Sequence, residues 1–368
     1  MSKPLLDSLE INGYRCFDDL KIEKLSQVNL IVGKNNVGKT ALLESVWVYA
    51  QRGTMDTFID LLALRDEVFI YKVATELGVK RDNLISGFGN LFYKRPVLDN
   101  NSKVSFTIKS IGSFLSVNTT RLVNEEGHPA NDFSMFENIW RARPSGLIAI
   151  SVLGEADNEQ RAEFYSFEDG RSFLLEPPPK IIPSGFIRPR VLENEHLAQL
   201  WDEAVKKGLE EKAWSFLKVI EPRINFINFI GTSEGGGKRY PIASNDGSTK
   251  RVALRSYGEG MSRLLGLSLA LAQCQNGILL IDEIESGLHY SVLPDIWKLI
   301  FHSAKELNVQ VFATTHSKDC LEAFAAASHE HKGDGMFIRL QRQGETIVAK
   351  SIEEERLALA VDHDVEVR

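Results

Sequence analysis

A short glycine-rich segment has the residue types and spacing of a phosphate-binding loop. It fits the pattern G-x-x-x-x-G-K-[ST], in which glycines let the backbone wrap a phosphate and successive N–H groups point at the anion. The pattern assigns Lys39 to the β- and γ-phosphates of a nucleotide and Thr40 to a Mg²⁺ ion. A plain glycine-rich turn between a strand and a helix is the alternative. The segment consists of Gly33, Lys34, Asn35, Asn36, Val37, Gly38, Lys39 and Thr40.

Two adjacent carboxylates follow an apolar run much further along the chain. Residues 278–281 are Ile-Leu-Leu-Ile, and Asp282 and Glu283 come next. Such a run predicts a strand buried on both faces of a parallel sheet, with the carboxylates at the end where α/β sheets bind ligands. We expect Asp282 to complete the Mg²⁺ shell and Glu283 to orient and deprotonate an attacking water. The alternative is that both carboxylates cap the next helix.

Two further segments have groups that can contact a phosphate. Residues 256–260 read Ser-Tyr-Gly-Glu-Gly before a predicted helix, where a serine and two glycines can cradle an anion; a simple helix cap is the alternative. His316 follows two threonines at the end of an apolar strand, where it can hydrogen-bond a terminal phosphate or the attacking water. A histidine satisfied at a strand end is the alternative there. Within residues 256–260, the expected nucleotide contacts are Ser256, Gly258, Glu259 and Gly260.

The elements that must position these residues have the pattern of a parallel α/β fold. Residues 28–32 predict a strand and the apolar face of 42–50 predicts a helix, so the glycine-rich loop joins a strand to a helix. The runs 278–281 and 309–313 predict buried strands with a helix between them, which is a parallel crossover unit.

The remaining segments give weaker signals. Prolines and a glycine within 177–185 predict a linker or surface loop. The final stretch, 352–368, is rich in acids and predicts a solvated helix or tail. Helical patterns are expected near 54–79 and over 193–219, strands at 104–108, 147–153 and 224–230, and a terminal hairpin of 336–340 with 346–349.

The composition is that of a large globular protein and excludes several classes. The chain has 368 residues, of which 43% are hydrophobic and 25% charged, so a disordered, collagenous or disulfide-framework protein is excluded. We expect a cytoplasmic protein with free thiols and no membrane contact, because the three cysteines are far apart and neither a signal peptide nor a membrane span is recognisable. With a net charge of −7, any DNA contact would use a local basic patch, such as 177–192 or 231–263.

Together, these motifs resemble those of ABC-type ATPase heads in both type and order. More narrowly they resemble the RecF/OLD-like branch, which is related to SMC heads, in an ATPase-only form without a Toprim nuclease domain. The opening residues 9–17 are similar to the first strand of that branch. The resemblance covers 1–50 and 224–345 well and 51–223 weakly.

The resemblance implies roles for several residues. Residues 256–260 would be the signature loop, which contacts the γ-phosphate bound by the partner subunit, although Tyr257 and Glu259 depart from the usual L-S-G-G-Q. Residues 286–289 would be the D-loop between subunits, and His316 the switch histidine. Gln51 is a candidate for the Q-loop glutamine.

We therefore expect an α/β fold of the P-loop NTPase type, an ABC-type ATPase head. It should have a mostly parallel central sheet, an N-terminal antiparallel β subdomain and an inserted α+β region. The expected organisation is an N-terminal lobe over 1–50, an inserted region over 51–223 and a C-terminal lobe over 224–368.

The expected function is Mg²⁺-dependent binding and hydrolysis of ATP as a conformational switch. The resemblance implies ATP rather than GTP, and a homodimer with ATP at its interface, a higher oligomer being left open. One hypothesis is the ATPase or sensor component of an OLD-like anti-phage defence system, whose effector is a separate nuclease or toxin. The other is a DNA-repair or DNA-structure-binding ATPase, and a third is a scaffold that only binds ATP.

Overall fold

The computed structural model describes residues 4–67, 70–73, 76–79, 87–96, 104–121, 147–154, 159–166, 172–174, 180–189, 193–231, 238–248 and 250–352. The strands within these ranges are β1 (Leu9–Tyr14), β2 (Phe17–Ile22), β3 (Val28–Val32), β4 (Ile70–Val73), β5 (Glu76–Val79), β6 (Ser105–Ser110), β7 (Ser113–Arg121), β8 (Leu147–Gly154), β9 (Glu159–Ser166), β10 (Ser172–Leu174), β11 (Ser184–Ile187), β12 (Ile224–Gly231), β13 (Arg239–Asn245), β14 (Val252–Ala253), β15 (Ile278–Ile281), β16 (Gln310–Thr314), β17 (Gly335–Gln343) and β18 (Thr346–Ile352). The helices are α1 (Lys39–Ala50), α2 (Met55–Ala63), α3 (Asn194–Lys206), α4 (Glu210–Leu217), α5 (Glu259–Gln273), α6 (Leu293–Glu306) and α7 (Lys318–Glu330).

A mostly parallel sheet lies at the centre of the protein. Its order is β11-β15-β16-β3-β17-β18, and every neighbouring pair is parallel except β17 with β18. All residues of β15 and β16 are buried, as expected for strands covered on both faces. This sheet confirms the predicted fold class, the two buried strands and the terminal hairpin. The carboxyl ends of β3, β15 and β16 lie at one edge, so the loops that follow them meet there.

A second sheet is antiparallel and begins with the N-terminal hairpin. Its order is β10-β9-β8-β7-β6-β1-β2. It confirms the predicted antiparallel subdomain, and the strands predicted at 104–108 and 147–153 are present as β6 and β8. Two smaller sheets, β12-β13-β14 and β4-β5, complete the described strands.

Apolar side chains fill both sides of the central sheet, and β3 shows how. Leu30 points into a core shared with α3 to α7, whereas Ile31 points into a core shared with α1 and the antiparallel sheet. Alternation of side chains across a strand makes this division unavoidable. The helices predicted over 193–219 are present as α3 and α4, which pack on α5. Across the described residues, every helix is too short or too polar to cross a membrane.

Two predictions about local structure are wrong. Among the described residues of 54–79, only Met55–Ala63 form an α-helix, and Ile70–Val73 pairs with Glu76–Val79 as a hairpin because β-branched and aromatic residues favour extended backbone. Within the predicted linker at 177–185, Ser184 already belongs to β11, which pairs in parallel with β15. An edge strand of four residues tolerates a proline on either side, so its sequence resembles a loop.

The predicted domain boundaries stay a prediction, although the sheets do not follow them. Strands β6 to β10 come from the 51–223 region and extend the β1-β2 hairpin, while β11 from the same region joins the central sheet. The acidic tail predicted at 352–368 lies, beyond Ile352, outside the described residues.

Candidate functional site

The phosphate loop joins β3 directly to α1, as predicted. Gly38, at the N-terminus of α1, has a left-handed φ of 95°, and a Cβ added to it would lie 2.7 Å from Cys16 Sγ. A Cβ on Gly33 would lie 2.5 Å from the Leu340 carbonyl oxygen. Both positions therefore require glycine, because the β1-β2 turn and β17 approach the loop too closely for a side chain.

Lys39 is held over its own loop. Its Nζ donates hydrogen bonds to the carbonyl oxygens of Gly33, at 2.7 Å, and Lys34, at 3.0 Å. Burial lowers the pKa of Lys39, while the carboxylates of Asp282, Glu283 and Glu285 act in the opposite direction. The Lys39 ammonium group thus lies over the loop and near these carboxylates. There it could neutralise negative charge on a bound polyphosphate.

The two predicted Mg²⁺ ligands are in contact although 242 residues separate them. The Thr40 hydroxyl donates to Asp282 Oδ2 at 2.9 Å. The cause is the strand order: β3, which precedes Thr40, is separated from β15, which precedes Asp282, only by β16. A hydroxyl and a carboxylate are hard oxygen donors, which suit Mg²⁺ when phosphate oxygens and water complete its shell. The pair therefore fits the implied ion.

Thr314, at the end of β16, organises the carboxylates, and sequence reasoning gave it no role. Its hydroxyl donates to Asp282 Oδ1 at 2.6 Å and accepts from the Glu283 N–H at 2.8 Å. Its carbonyl oxygen accepts from the Ile284 N–H at 3.1 Å. The available signal was a threonine directly after the apolar residues 311–313, at the end of a strand that is buried throughout.

Glu283 and His316 lie next to each other at the mouth of the cleft, as the motifs predict. His316 Nε2 is 3.8 Å from Glu283 Oε1, and both side chains are partly exposed, at 38% and 43%. Glu283 has a left-handed φ of 48°, a strained conformation for a residue with a Cβ. The His316 N–H donates to Glu285 Oε1 at 2.8 Å, which fixes the backbone that carries the imidazole.

Arg263 on α5 is a second positioning group that sequence reasoning missed. It is only 4% exposed, and Nη2 donates to the carbonyl oxygens of Asp282 at 3.2 Å and Glu283 at 3.3 Å. Nη1 donates to the Arg188 carbonyl oxygen. Burial lowers the pKa of Arg263 to about 10. The helix that follows the loop 256–260 is therefore tied to the turn that carries the carboxylates.

The loop 256–260 lies at the surface. Ser256 and Gly258 are exposed, Gly258 has a φ of 107°, and α5 begins at Glu259. Gly260 packs beside Gly287, whose carbonyl oxygen would lie 3.3 Å from an added Cβ. The structure thus brings the predicted signature loop against the predicted D-loop, and not into the phosphate cleft of its own chain.

The candidate Q-loop residue is misplaced. Gln51 caps the far end of α1, which has 12 residues, so it lies about 18 Å from Lys39 at about 1.5 Å per residue. Its Nε2 donates to Ser184 Oγ at 2.7 Å, which anchors the start of β11. Gln51 therefore cannot contact a nucleotide held by the loop.

The first candidate DNA patch, 177–192, is divided by the structure. Lys180 is exposed, but the Arg188 guanidinium lies 4.5 Å from the centre of the Phe186 ring and burial lowers its pKa. Arg190 lies outside the described residues. In the second patch, 231–263, Arg263 is buried, while Lys250 and Arg255 are exposed.

A cleft of about 770 Å³ connects the phosphate loop with Glu283 and His316. Lys39, Thr40, Glu283 and His316 line it, and Arg15 and Cys16 of the β1-β2 turn line it from another element. The arrangement combines a cation and N–H groups for phosphates, oxygens for a divalent ion and a carboxylate for a water. It can therefore bind and hydrolyse a nucleoside triphosphate. The roles of the single residues stay predictions.

Comparisons with known proteins agree with this chemistry. A family model described as "AAA domain, putative AbiEii toxin, Type IV TA system" matches residues 28–319. A Helicobacter pylori protein named ATP/GTP phosphatase is 24% identical over 339 residues, which is 86% of this chain and 87% of that protein. The DNA replication and repair protein RecF of Staphylococcus aureus is 23% identical over 386 residues, which is 93% of this chain and 99% of RecF.

Solved structures include a distant likeness. An SMC head bound to the C-terminal winged-helix domain of ScpA is 13% identical, with a TM-score of 0.49 over 97% of this chain and 100% of that one.

The fold and the cleft define an ABC-type ATPase that is similar in sequence to RecF. The family model spans most of the chain, and the chain belongs to this family of AAA domains.

Proposed function

We propose that this ATPase is a two-chain switch, in which each nucleotide lies between the phosphate loop of one copy and the loop 256–260 of the other. The observation that carries the proposal is the placement of that loop. It is exposed at the N-terminus of α5 and lines no part of the cleft described in its own chain. A serine–glycine loop at a helix N-terminus offers N–H groups to an anion. A two-fold interface would place each loop over the cleft of the partner.

The cleft residues divide the chemical work of hydrolysis. Lys39 binds the β- and γ-phosphates, and Glu283 accepts the proton of the attacking water. His316, beside Glu283, hydrogen-bonds the terminal phosphate or that water. We assign Mg²⁺ to Thr40 and Asp282, where it would neutralise charge on the phosphates. The terminal phosphate would therefore lie on the β15-β16 side of the phosphate loop, because Glu283 and His316 both lie on that side.

Mixing two inactive variants tests the shared site. Lys39→Ala removes the phosphate loop function, and Ser256→Arg blocks the loop that would act on the partner. Each homodimer should be inactive. Random exchange makes half the dimers mixed, and each mixed dimer regains one of two sites, so ATP turnover should recover to roughly a quarter of wild type if the sites are independent.

Two results would contradict the proposal. One is full activity of Ser256→Arg alone. The other is no recovery in dimers shown by mass to be mixed, while a dimer of one wild-type and one Lys39→Ala chain, which keeps one intact site and is the single-site control, retains activity.

For the biological role we propose the ATPase component of an anti-phage defence system with a separate toxin or nuclease effector, working in the cytoplasm. The description of the matched family, which names a toxin and a toxin–antitoxin system, supports this role. The test is phage challenge of cells that carry the gene and its neighbours. Protection should require those neighbours and should be lost with Lys39→Ala; protection by the Lys39→Ala variant would contradict the role.

The second candidate is an ATPase that binds DNA in replication or repair. It is favoured by the similarity to RecF over nearly the whole of both chains. The exposed cations of the 231–263 patch are Lys238, Lys250, Arg251 and Arg255. If this face binds DNA, Lys250→Glu/Arg255→Glu should weaken binding, and wild-type affinity should fall steeply with salt because counterions are released. Absence of DNA binding at low salt, with and without ATP, would remove this candidate.

A further inference from the structure

The segment 87–96 is fastened to the turn that covers the phosphate loop. The Tyr93 N–H donates to the Gly13 carbonyl oxygen at 2.7 Å, and the Arg15 N–H donates to the Leu91 carbonyl oxygen at 2.9 Å. Phe88 is buried, as are Leu91 and Phe92. The Phe92 and Phe106 rings, with centroids 5.5 Å apart, anchor the segment to the antiparallel sheet. The segment is therefore fixed relative to the β1-β2 hairpin.

The tip of this segment carries two cations, Lys94 and Arg95. Both are exposed, both line the nucleotide cleft, and both have left-handed φ values, 63° and 48°. Two consecutive left-handed residues with long side chains are an unfavourable arrangement. Within the described part of the chain, neither is paired with a carboxylate. The backbone thus holds two positive charges at the cleft although local preference opposes that conformation.

Strand order shows which end of the cleft they occupy. Glu283 and His316 follow β15 and β16, on one side of β3. The β1-β2 turn lies toward the other side, because β2 packs on β18, which lies beyond β17 on the far side of β3. A nucleotide whose terminal phosphate faces Glu283 therefore has its sugar toward the β1-β2 turn, where Lys94 and Arg95 lie.

A buried arginine, paired with carboxylates, lies beneath this end of the cleft. Arg15 is only 5% exposed, lines the cleft and has an Nη2 atom without a hydrogen-bond partner among the described residues. Its Nε lies 2.8 Å from Glu44 Oε2 and its Nη1 lies 3.0 Å from Glu67 Oε2. Carboxylates thus balance Arg15 and Arg65 below the cleft, whereas Lys94 and Arg95 have no carboxylate partner among the residues that the structure describes.

We propose that Lys94 and Arg95 form the nucleoside end of the nucleotide site, where they bind the phosphate nearest the sugar. The inference rests on the nucleotide site and not on the two-chain arrangement, so failure of the mixing experiment would leave it standing.

The test is a double variant, Lys94→Gly/Arg95→Gly, in the full chain. Glycine adopts the left-handed backbone without strain, so the fold should be kept, which the thermal unfolding midpoint checks. The matched control, Lys109→Ala/Lys332→Ala, also removes two positive charges, but from exposed sites elsewhere. The dissociation constants for ATP and ADP are measured by calorimetry, together with KM and kcat for ATP.

The glycine variant should weaken ATP and ADP binding by the same factor, about tenfold, since both nucleotides share the phosphate in question and charge-assisted hydrogen bonds are lost. KM should rise more than kcat falls. Lys94→Arg/Arg95→Lys, which keeps both charges, should restore most of the affinity.

Three outcomes would overturn the inference. The first is an affinity equal to that of the control variant. The second is a loss for ATP alone, because the contact would then be with the terminal phosphate. The third is a wild-type chain that binds neither nucleotide, which would overturn the nucleotide site as well.

Discussion

The hydroxyl of Thr314 lies 2.6 Å from Asp282 Oδ1, so the end of one strand orients the carboxylate that follows its neighbour. The same hydroxyl accepts a hydrogen bond from the Glu283 N–H. Strand β16 pairs with β3 on its other side, so the phosphate loop that follows β3 is held next to these carboxylates. The metal ligand, the base and the phosphate loop are therefore positioned by three adjacent strands.

Thr314→Val should lower kcat by about 10- to 100-fold, the usual effect of removing a group that orients a metal ligand. Valine has the same shape but leaves the Glu283 N–H without its partner. Thr314→Ser keeps the hydroxyl and should retain most of the turnover. Steady-state ATPase assays of both variants decide the matter, and equal rates would show that the hydroxyl has no role.

Glu283→Gln should slow turnover by about 10²–10⁴-fold while nucleotide binding persists, because a general base usually contributes that factor. Glutamine has nearly the same size and the same backbone preference, so the strained φ of 48° is not changed by the substitution. Lys39→Ala is the contrasting variant and should abolish tight binding itself. Hydrolysis by Glu283→Gln at the wild-type rate would remove Glu283 from the role of base.

Arg263→Met should lower kcat more than nucleotide affinity, since Arg263 contacts backbone carbonyl oxygens of the catalytic turn and not the cleft. It leaves buried carbonyl oxygens unsatisfied, so stability should also fall by about 1–3 kcal/mol for each such group. Arg263→Lys keeps a charge and can reach at least one carbonyl oxygen, so it should recover part of kcat. If kcat changes only in proportion to the folded fraction, Arg263 has a purely structural role.

Cys16 should be the cysteine that alkylates in the folded protein, and nucleotide should protect it. Burial raises the pKa of the Cys16 thiol above its ordinary value of 9.0. Because the thiolate is the reactive form, labelling by iodoacetamide should be slow at neutral pH and should accelerate about tenfold per pH unit below that pKa. Cys274 and Cys320 are buried, with pKa values of about 12, and should stay unlabelled.

Mass spectrometry with and without ADP measures this protection. Cys16→Ser should remove the label, which assigns the site. Labelling that proceeds at the same rate in saturating ADP would mean that the β1-β2 turn does not border the bound nucleotide.

Sequence reasoning worked best where one continuous segment carries the information. The strand, glycine turn and helix over residues 28–50 were predictable, because the glycines and the apolar periodicity act within a few residues of each other. The apolar runs of β15 and β16 were equally clear, since both faces of each strand are buried. Sequence reasoning failed for β11. Its four residues lie beside prolines and form a strand only because the edge of β15 is available for pairing.

The sequence by itself determined the chemical groups of this protein: a phosphate loop, a pair of carboxylates, a histidine and a serine–glycine loop, each encoded in a short segment. Only the tertiary structure decided which of them meet. The order β15-β16-β3 brings Thr40 to Asp282, and the packing of 87–96 on the β1-β2 turn brings Lys94 and Arg95 to the same cleft. These contacts join residues far apart in the chain, and they depend on strand order and core packing, which no local pattern of residues specifies.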